Sequence, residues 1–184
     1  MGHCHDKGNL KTVTCAVITV SDTRNKDTDK SGQTIIELLK TDNHHIGMYE
    51  IIPDDVASIQ KTLETAIHED AIDAVIFNGG TGISQRDVTI EAIRPYFKKE
   101  LPGFGEIFRY LSYQFDIGSA SILSRAIAGI ANNRIVFSVP GSTGAVKLAM
   151  EKLILPEIKH AVNEIHKDLR KAQSARLATY KLAG

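Results

Sequence analysis

The chain is poor in the features that most readily classify a sequence. It has no tryptophan, only two cysteines among 184 residues, and no excess charge, with 22 Lys+Arg against 22 Asp+Glu. Cys4 lies in the first few residues and Cys15 inside an apolar run. Two such thiols make a poor disulfide framework, which points to a reducing cytoplasm. Balanced charge argues against a dedicated nucleic-acid surface, which shows a basic excess. No apolar run reaches the roughly 18 residues of a membrane span. The opening MGHCHDKGNL has no signal core. The GxGxxG, Walker A, HExxH, CxxC and GxSxG patterns are all missing, and so are internal repeats.

What is present suits one soluble domain. The length is that of a single domain, and 42% of residues are hydrophobic. Residues 1–12 form a polar N-terminal tail and 13–166 the domain. Residues 167–184 form a basic C-terminal extension, with five basic residues against Asp168. That extension reads as a solvated helical end or as a docking segment.

Inside the domain, short apolar runs alternate with helical patterns. Val13–Val20, Gly47–Ile52 and Ile72–Phe77 read as strands rich in β-branched residues. Between them, 31–40 and 56–67 carry apolar stripes at helical spacing, with Ser31 and either Asp54 or Asp55 as N-caps. Short helices are expected over 89–97 and 104–115. Ala126–Ala131 and Arg134–Val139 read as a hairpin across Asn132-Asn133, and 142–154 and 157–166 as closing helices. The β-α-β-α-β rhythm predicts an α/β fold whose mostly parallel sheet is covered on both faces.

In such sheets ligands bind beyond the carboxyl ends of the strands. Three polar, glycine-bearing or serine-bearing loops fall there: Ser21–Arg24, Asn78–Asp87 and Pro140–Gly144. Glycine lets backbone approach an anion closely, and N–H groups at a strand-to-helix turn can hold a phosphate. Asp22, Asp54, Asp55 and Asp87 are the carboxylates nearby. Two of them beside a phosphate would suit Mg²⁺, although a helix N-cap accounts for each aspartate as well. Arg125 can serve an anion or a structural ion pair. Glu106 and Arg109 can pair within a helix or face the ligand rim. No histidine falls in the three loops.

With these segments in view, the chain resembles the molybdenum cofactor biosynthesis protein B and molybdopterin adenylyltransferase family. The matching segments run in order: TVSDTR (19–24), DKSGQTI (29–35), IIPDD (51–55), GGTGISQRDVTIEA (79–92), GFGEIFRYLS (103–112), LSRAIAG (123–129) and FSVPGSTGAVKLA (137–149). The resemblance implies a three-layer α/β/α sandwich with a mixed sheet, assembled as a homotrimer or homohexamer. It implies molybdopterin and ATP as substrates, Mg²⁺ as the metal, and adenylylation of the pterin's terminal phosphate with release of pyrophosphate. It maps the catalytic and metal-binding acids onto Asp54 and Asp87. Gly79, Gly80, Thr81 and Gly82 would take nucleotide phosphates. Ser21, Asp22, Gly141 and Ser142 would hold the pterin or its phosphate. The last loop departs from the PGSPG or PGNP of many adenylyltransferases. Its Pro140-Gly141-Ser142-Thr143 is closer to the protein B branch, so a non-catalytic molybdopterin carrier or scaffold stands as the alternative. Small molecules are the expected partners, with neither nucleic acid nor membrane, and contact with other cofactor-biosynthesis proteins is left open.

Overall fold

β-branched residues dominate β1 (Thr14–Val20), and their side chains alternate between two cores. Cys15 and Val17 join one, Ala16, Ile18 and Val20 the other. Both faces are therefore covered, as the near-continuous apolar runs require. The computed structural model describes residues 12–167. Apart from Thr12 and Lys167, the two tails lie outside the described residues, and Cys4 with them.

Five further strands complete the sheet: β2 (His45–Ile52), β3 (Ala74–Asn78), β4 (Lys99–Glu100), β5 (Ile127–Ala131) and β6 (Arg134–Val139). Their order is β2-β1-β3-β6-β5-β4. β1, β2, β3 and β6 are parallel, while β5 runs antiparallel to both neighbours, β6 and β4. The sheet is thus mixed and mostly parallel, as expected.

One face is covered by α1 (Lys30–Thr41), α4 (Pro102–Phe115), α5 (Thr143–Ala149) and the helix over residues 155–167, here α6. The other face is covered by α2 (Val56–His68) and α3 (Thr89–Ile93). This is the three-layer α/β/α arrangement. A π-helical turn, Met150–Ile154, joins α5 to α6, so the single helix expected over 142–154 is interrupted. A 3-10 turn, Arg94–Tyr96, ends α3, where Pro95 cannot donate to a continuing α-helix.

One helix start and one strand range differ from expectation. Asp29, not Ser31, caps α1, its carboxylate accepting from Gly32 N at 3.0 Å. Ser31 lies inside the helix and is buried against Asn78. The third strand runs over 74–78 rather than 72–77, because Ile72 packs as a turn residue before it and Asn78 still pairs with Val139. The Asn132-Asn133 turn stands as read, with φ of 44° and 59°, the left-handed pair a two-residue hairpin demands.

Candidate functional site

The parallel strands end on one rim, and their order sets which loops meet there. β1 and β3 are neighbours, β3 and β6 likewise, so the three loops converge around the end of β3. Asp54 and Asp22 are joined reciprocally. Asp22 N donates to Asp54 Oδ2 at 3.2 Å, and Asp54 N donates to Asp22 Oδ1 at 3.1 Å. Asp22 also pairs with Arg86 from the glycine loop.

Asp54 and Asp87 both lie against that glycine loop, near enough for the charge of Asp87 to act on Asp54. A Cβ built on Gly80 would lie 3.0 Å from Asp54 Oδ1, and one on Gly82 2.8 Å from Asp87 Oδ2. Neither aspartate caps a helix. Asp55 caps α2 by accepting from Ser58 N at 2.9 Å, and the N-cap position of α3 is Val88, which makes no side-chain cap. The capping account of these two carboxylates therefore falls away.

Their electrostatics differ. Burial pushes the Asp54 carboxyl above its ordinary value, and the negative charge of Asp87 pushes it further, against the opposing pull of Arg24. At Asp87 burial also works upward, but hydrogen bonds from the Ser84 hydroxyl and N–H and from Gly82 N–H, with the charge of Arg125, hold it below. Close like charges at a partly desolvated rim are what a bound cation would relieve. The pair fits a hard divalent ion that completes its shell with water and substrate oxygens. Among the described residues no cluster of three or more His, Cys, Asp or Glu side chains forms a full protein cage.

The glycine loop is shaped by what holds it. Gly79 and Gly80 have φ of 104° and 60°, and a Cβ on Gly79 would lie 2.3 Å from Val20 O. Gly79 N donates to Val139 O at 3.1 Å, while Thr89 binds the Gly79 and Gly80 carbonyls, each at 3.0 Å. Arg125 donates to Thr81 O at 3.0 Å and to Asp87 O at 2.9 Å, and pairs with Glu91. Arg125 thus resolves as the structural clamp of this loop. Gly82 N–H is turned onto Asp87. Among the described residues, the N–H groups of Gly80 and Thr81 carry no hydrogen bond, so any phosphate cradle narrows to these two.

The remaining expected residues sit as follows. Ser21 is half-buried at the end of β1, its Oγ 3.3 Å from Thr23 N, and it lines a cavity of about 460 Å³ with Asp22, Arg24 and Pro53. The hydroxyl of Ser142 caps α5 by accepting from Ala145 N at 3.2 Å. Gly141 packs on Gly79, its virtual Cβ 3.1 Å from Gly79 Cα. Glu106 and Arg109 form no ion pair with each other among the described residues, and line a separate pocket of about 130 Å³ beside Arg94 and Glu100.

Sequence reasoning did not single out a buried polar network beneath the rim. Asp29, fully buried, accepts from the Tyr49 hydroxyl at 2.8 Å and from Thr19 Oγ1. Asn78 joins Ser31 Oγ at 2.7 Å and Thr19 Oγ1 at 2.9 Å. The signal was the DKSG segment itself, an acid and a serine where a plain helix start needs only one cap.

Residues 16–160 match the family described as "Probable molybdopterin binding domain". The chain belongs to the molybdopterin-binding-domain family. This family member is 60% identical over 156 residues to the molybdenum cofactor biosynthesis protein B of Bacillus subtilis strain 168, covering 85% of the chain and 92% of that relative. Among solved structures it resembles a molybdenum cofactor biosynthesis protein B, with a TM-score of 0.84 and 54% identity, covering 85% of this chain and 98% of that one. It also resembles the tungsten cofactor synthesizing protein MoaB of Pyrococcus furiosus, with a TM-score of 0.76 and 44% identity over 85% and 98% of the two chains. Among the described residues no helix is long and apolar enough to cross a membrane.

Proposed function

We propose that this molybdopterin-binding domain works in molybdenum cofactor biosynthesis, transferring the adenylyl group of ATP to the terminal phosphate of molybdopterin. The observation that carries the reading is that Asp54 and Asp87 lie against Gly80 and Gly82 of one loop, with neither acid spent on a helix cap. A phosphate oxygen of the pterin attacks the α-phosphorus of ATP. The bond to the β-phosphate oxygen breaks, and pyrophosphate leaves. No side-chain nucleophile is needed, so the protein's contribution is positioning and charge control.

Asp54 and Asp87 would hold Mg²⁺, which supplies charge neutralisation on the phosphate oxygens. Gly80 and Thr81 N–H groups would receive the nucleotide phosphates. Ser21, Asp22 and Gly141 would flank the pterin, with Ser142 fixing the start of α5 behind them. Arg125 keeps Thr81 and Asp87 in register. We further read the protein as a homo-oligomer acting on small molecules in the cytoplasm.

The test is pyrophosphate release with molybdopterin and Mg-ATP. Wild type should turn over, and Asp87→Asn should lose about a hundredfold or more in rate while keeping its circular dichroism. Asp54→Ala should behave alike. Pterin binding without turnover in wild type would instead select the carrier reading, and unchanged turnover in Asp87→Asn would remove that residue from the reaction.

A further inference from the structure

The two groups of rim loops are anchored by two different arginines. Arg125 clamps the glycine loop, as described above. Arg24 does the corresponding work on the other side, between segments 117 residues apart in sequence. Its Nη2 donates to Gly141 O at 2.9 Å, and its Nη1 donates to Ser31 Oγ at 2.6 Å and lies 3.6 Å from Asp29 Oδ1.

This guanidinium is itself held. Asp29 is fully buried, and Ser31 is tied on to Asn78 at the end of β3. The anchor is thus built into α1 and the centre of the sheet, while the group it positions, the Gly141 carbonyl, belongs to the last rim loop. Two fixed directions, one to Ser31 and Asp29 and one to Gly141, suit a planar fork and not a point charge. About a third of the Arg24 side chain remains exposed, at 31%, towards the cavity it lines with Ser21 and Asp22.

We propose that Arg24 is a positioning residue that locks the first and last rim loops into one geometry for the pterin substrate. This rests on the assignment of those loops to molybdopterin. The division of labour makes it selective: Arg24 governs the pterin side and Arg125 the nucleotide side.

Arg24→Lys keeps the positive charge near Asp54 but cannot span both partners. In steady-state pyrophosphate release, KM for molybdopterin should rise about tenfold or more, with KM for ATP and kcat within about twofold of wild type. Arg125→Lys should show the reverse pattern, raising KM for ATP. Equal rises in both constants for Arg24→Lys, or a lowered melting temperature with both constants unmoved, would overturn the proposal. Should wild type release no pyrophosphate, the adenylyl-transfer reading fails, and direct titration of molybdopterin by its own fluorescence decides the matter. A selective weakening of about tenfold in Arg24→Lys upholds the role of Arg24, and an equal Kd, or no pterin binding by wild type, ends it.

Discussion

At the scale of single residues, the rim owes its character to what each carboxylate touches. Asp29 is wholly buried and receives hydrogen bonds from Thr19, Ser31, Tyr49 and Gly32, which outweigh burial and hold its carboxyl below the ordinary value. A lowered folded-state value contributes stability above the unfolded value of 3.8, lost as pH falls through the folded one. Asp29→Ala leaves the Thr19 and Tyr49 hydroxyls and the Gly32 N–H without their acceptor, and takes from Arg24 its buried charge partner. It should cost about 3 kcal/mol in urea unfolding at neutral pH, shrinking in acid. A cost below about 1 kcal/mol would show the network to be slack. Asp54 behaves oppositely, its carboxyl raised by burial and then by Asp87. In the ligand-free protein, carboxyl-carbon NMR of Asp87→Asn should show Asp54 titrating at lower pH than in wild type, though burial still keeps it raised. An unmoved midpoint would mean that the two acids do not sense each other. None of this was legible residue by residue. The three rim loops and both acids were visible as motifs, but Asn78–Ser31 and Arg24–Gly141 join positions 47 and 117 residues apart, which no local pattern encodes.

At the scale of elements, the central strands and main helices were legible because their patterns are local. β1 and β3 are continuous apolar runs, and α1 and α2 carry clear stripes. β4 was missed, being two exposed polar residues, Lys99 and Glu100, whose only strand signal is their pairing with β5. The π-helical turn was missed because Met150–Ile154 reads like any helix, and the extra residue per turn is a matter of packing. The β5–β6 hairpin was found from its Asn-Asn turn, and that turn makes a clean test. Both asparagines sit at positive φ, and Asn132 Nδ2 donates to Ile67 O at 2.8 Å, tying the hairpin to the end of α2. Asn133→Val asks a β-branched residue to adopt φ near 59° and should cost about 1–2 kcal/mol. Asn133→Gly should cost nothing or stabilise slightly. Equal stability of the two variants, measured by thermal unfolding, would mean that the turn relaxes.

At the scale of the whole molecule, one surface does not suit a lone protein in water. The outward side of α4 carries Ile107, Tyr110 and Tyr113 at three-residue spacing, exposed at 50%, 62% and 55%. A second 3-10 segment, Gly118–Leu123, packs against α4 and adds Ile122 at 80% and Leu123 at 53%, and Phe115 stands 75% exposed at the helix end. Scattered apolar residues on a surface need no explanation, but this many on two touching elements form a patch of the kind that covers itself in association. The opposite side of α4 buries Gly105, Phe108 and Ser112 against the sheet, so the helix has two apolar faces and one core. A closed ring of copies would satisfy the outer face, and it agrees with the homotrimer or homohexamer that the family resemblance leads one to expect. Light scattering at micromolar concentration should therefore give a mass several times 20.1 kDa. Ile107→Asp with Tyr110→Asp should yield monomers of unchanged far-UV circular dichroism, because neither side chain reaches the core. A monomeric wild type would leave the patch for some other partner, and an oligomer untouched by the double substitution would place the contact elsewhere on the molecule.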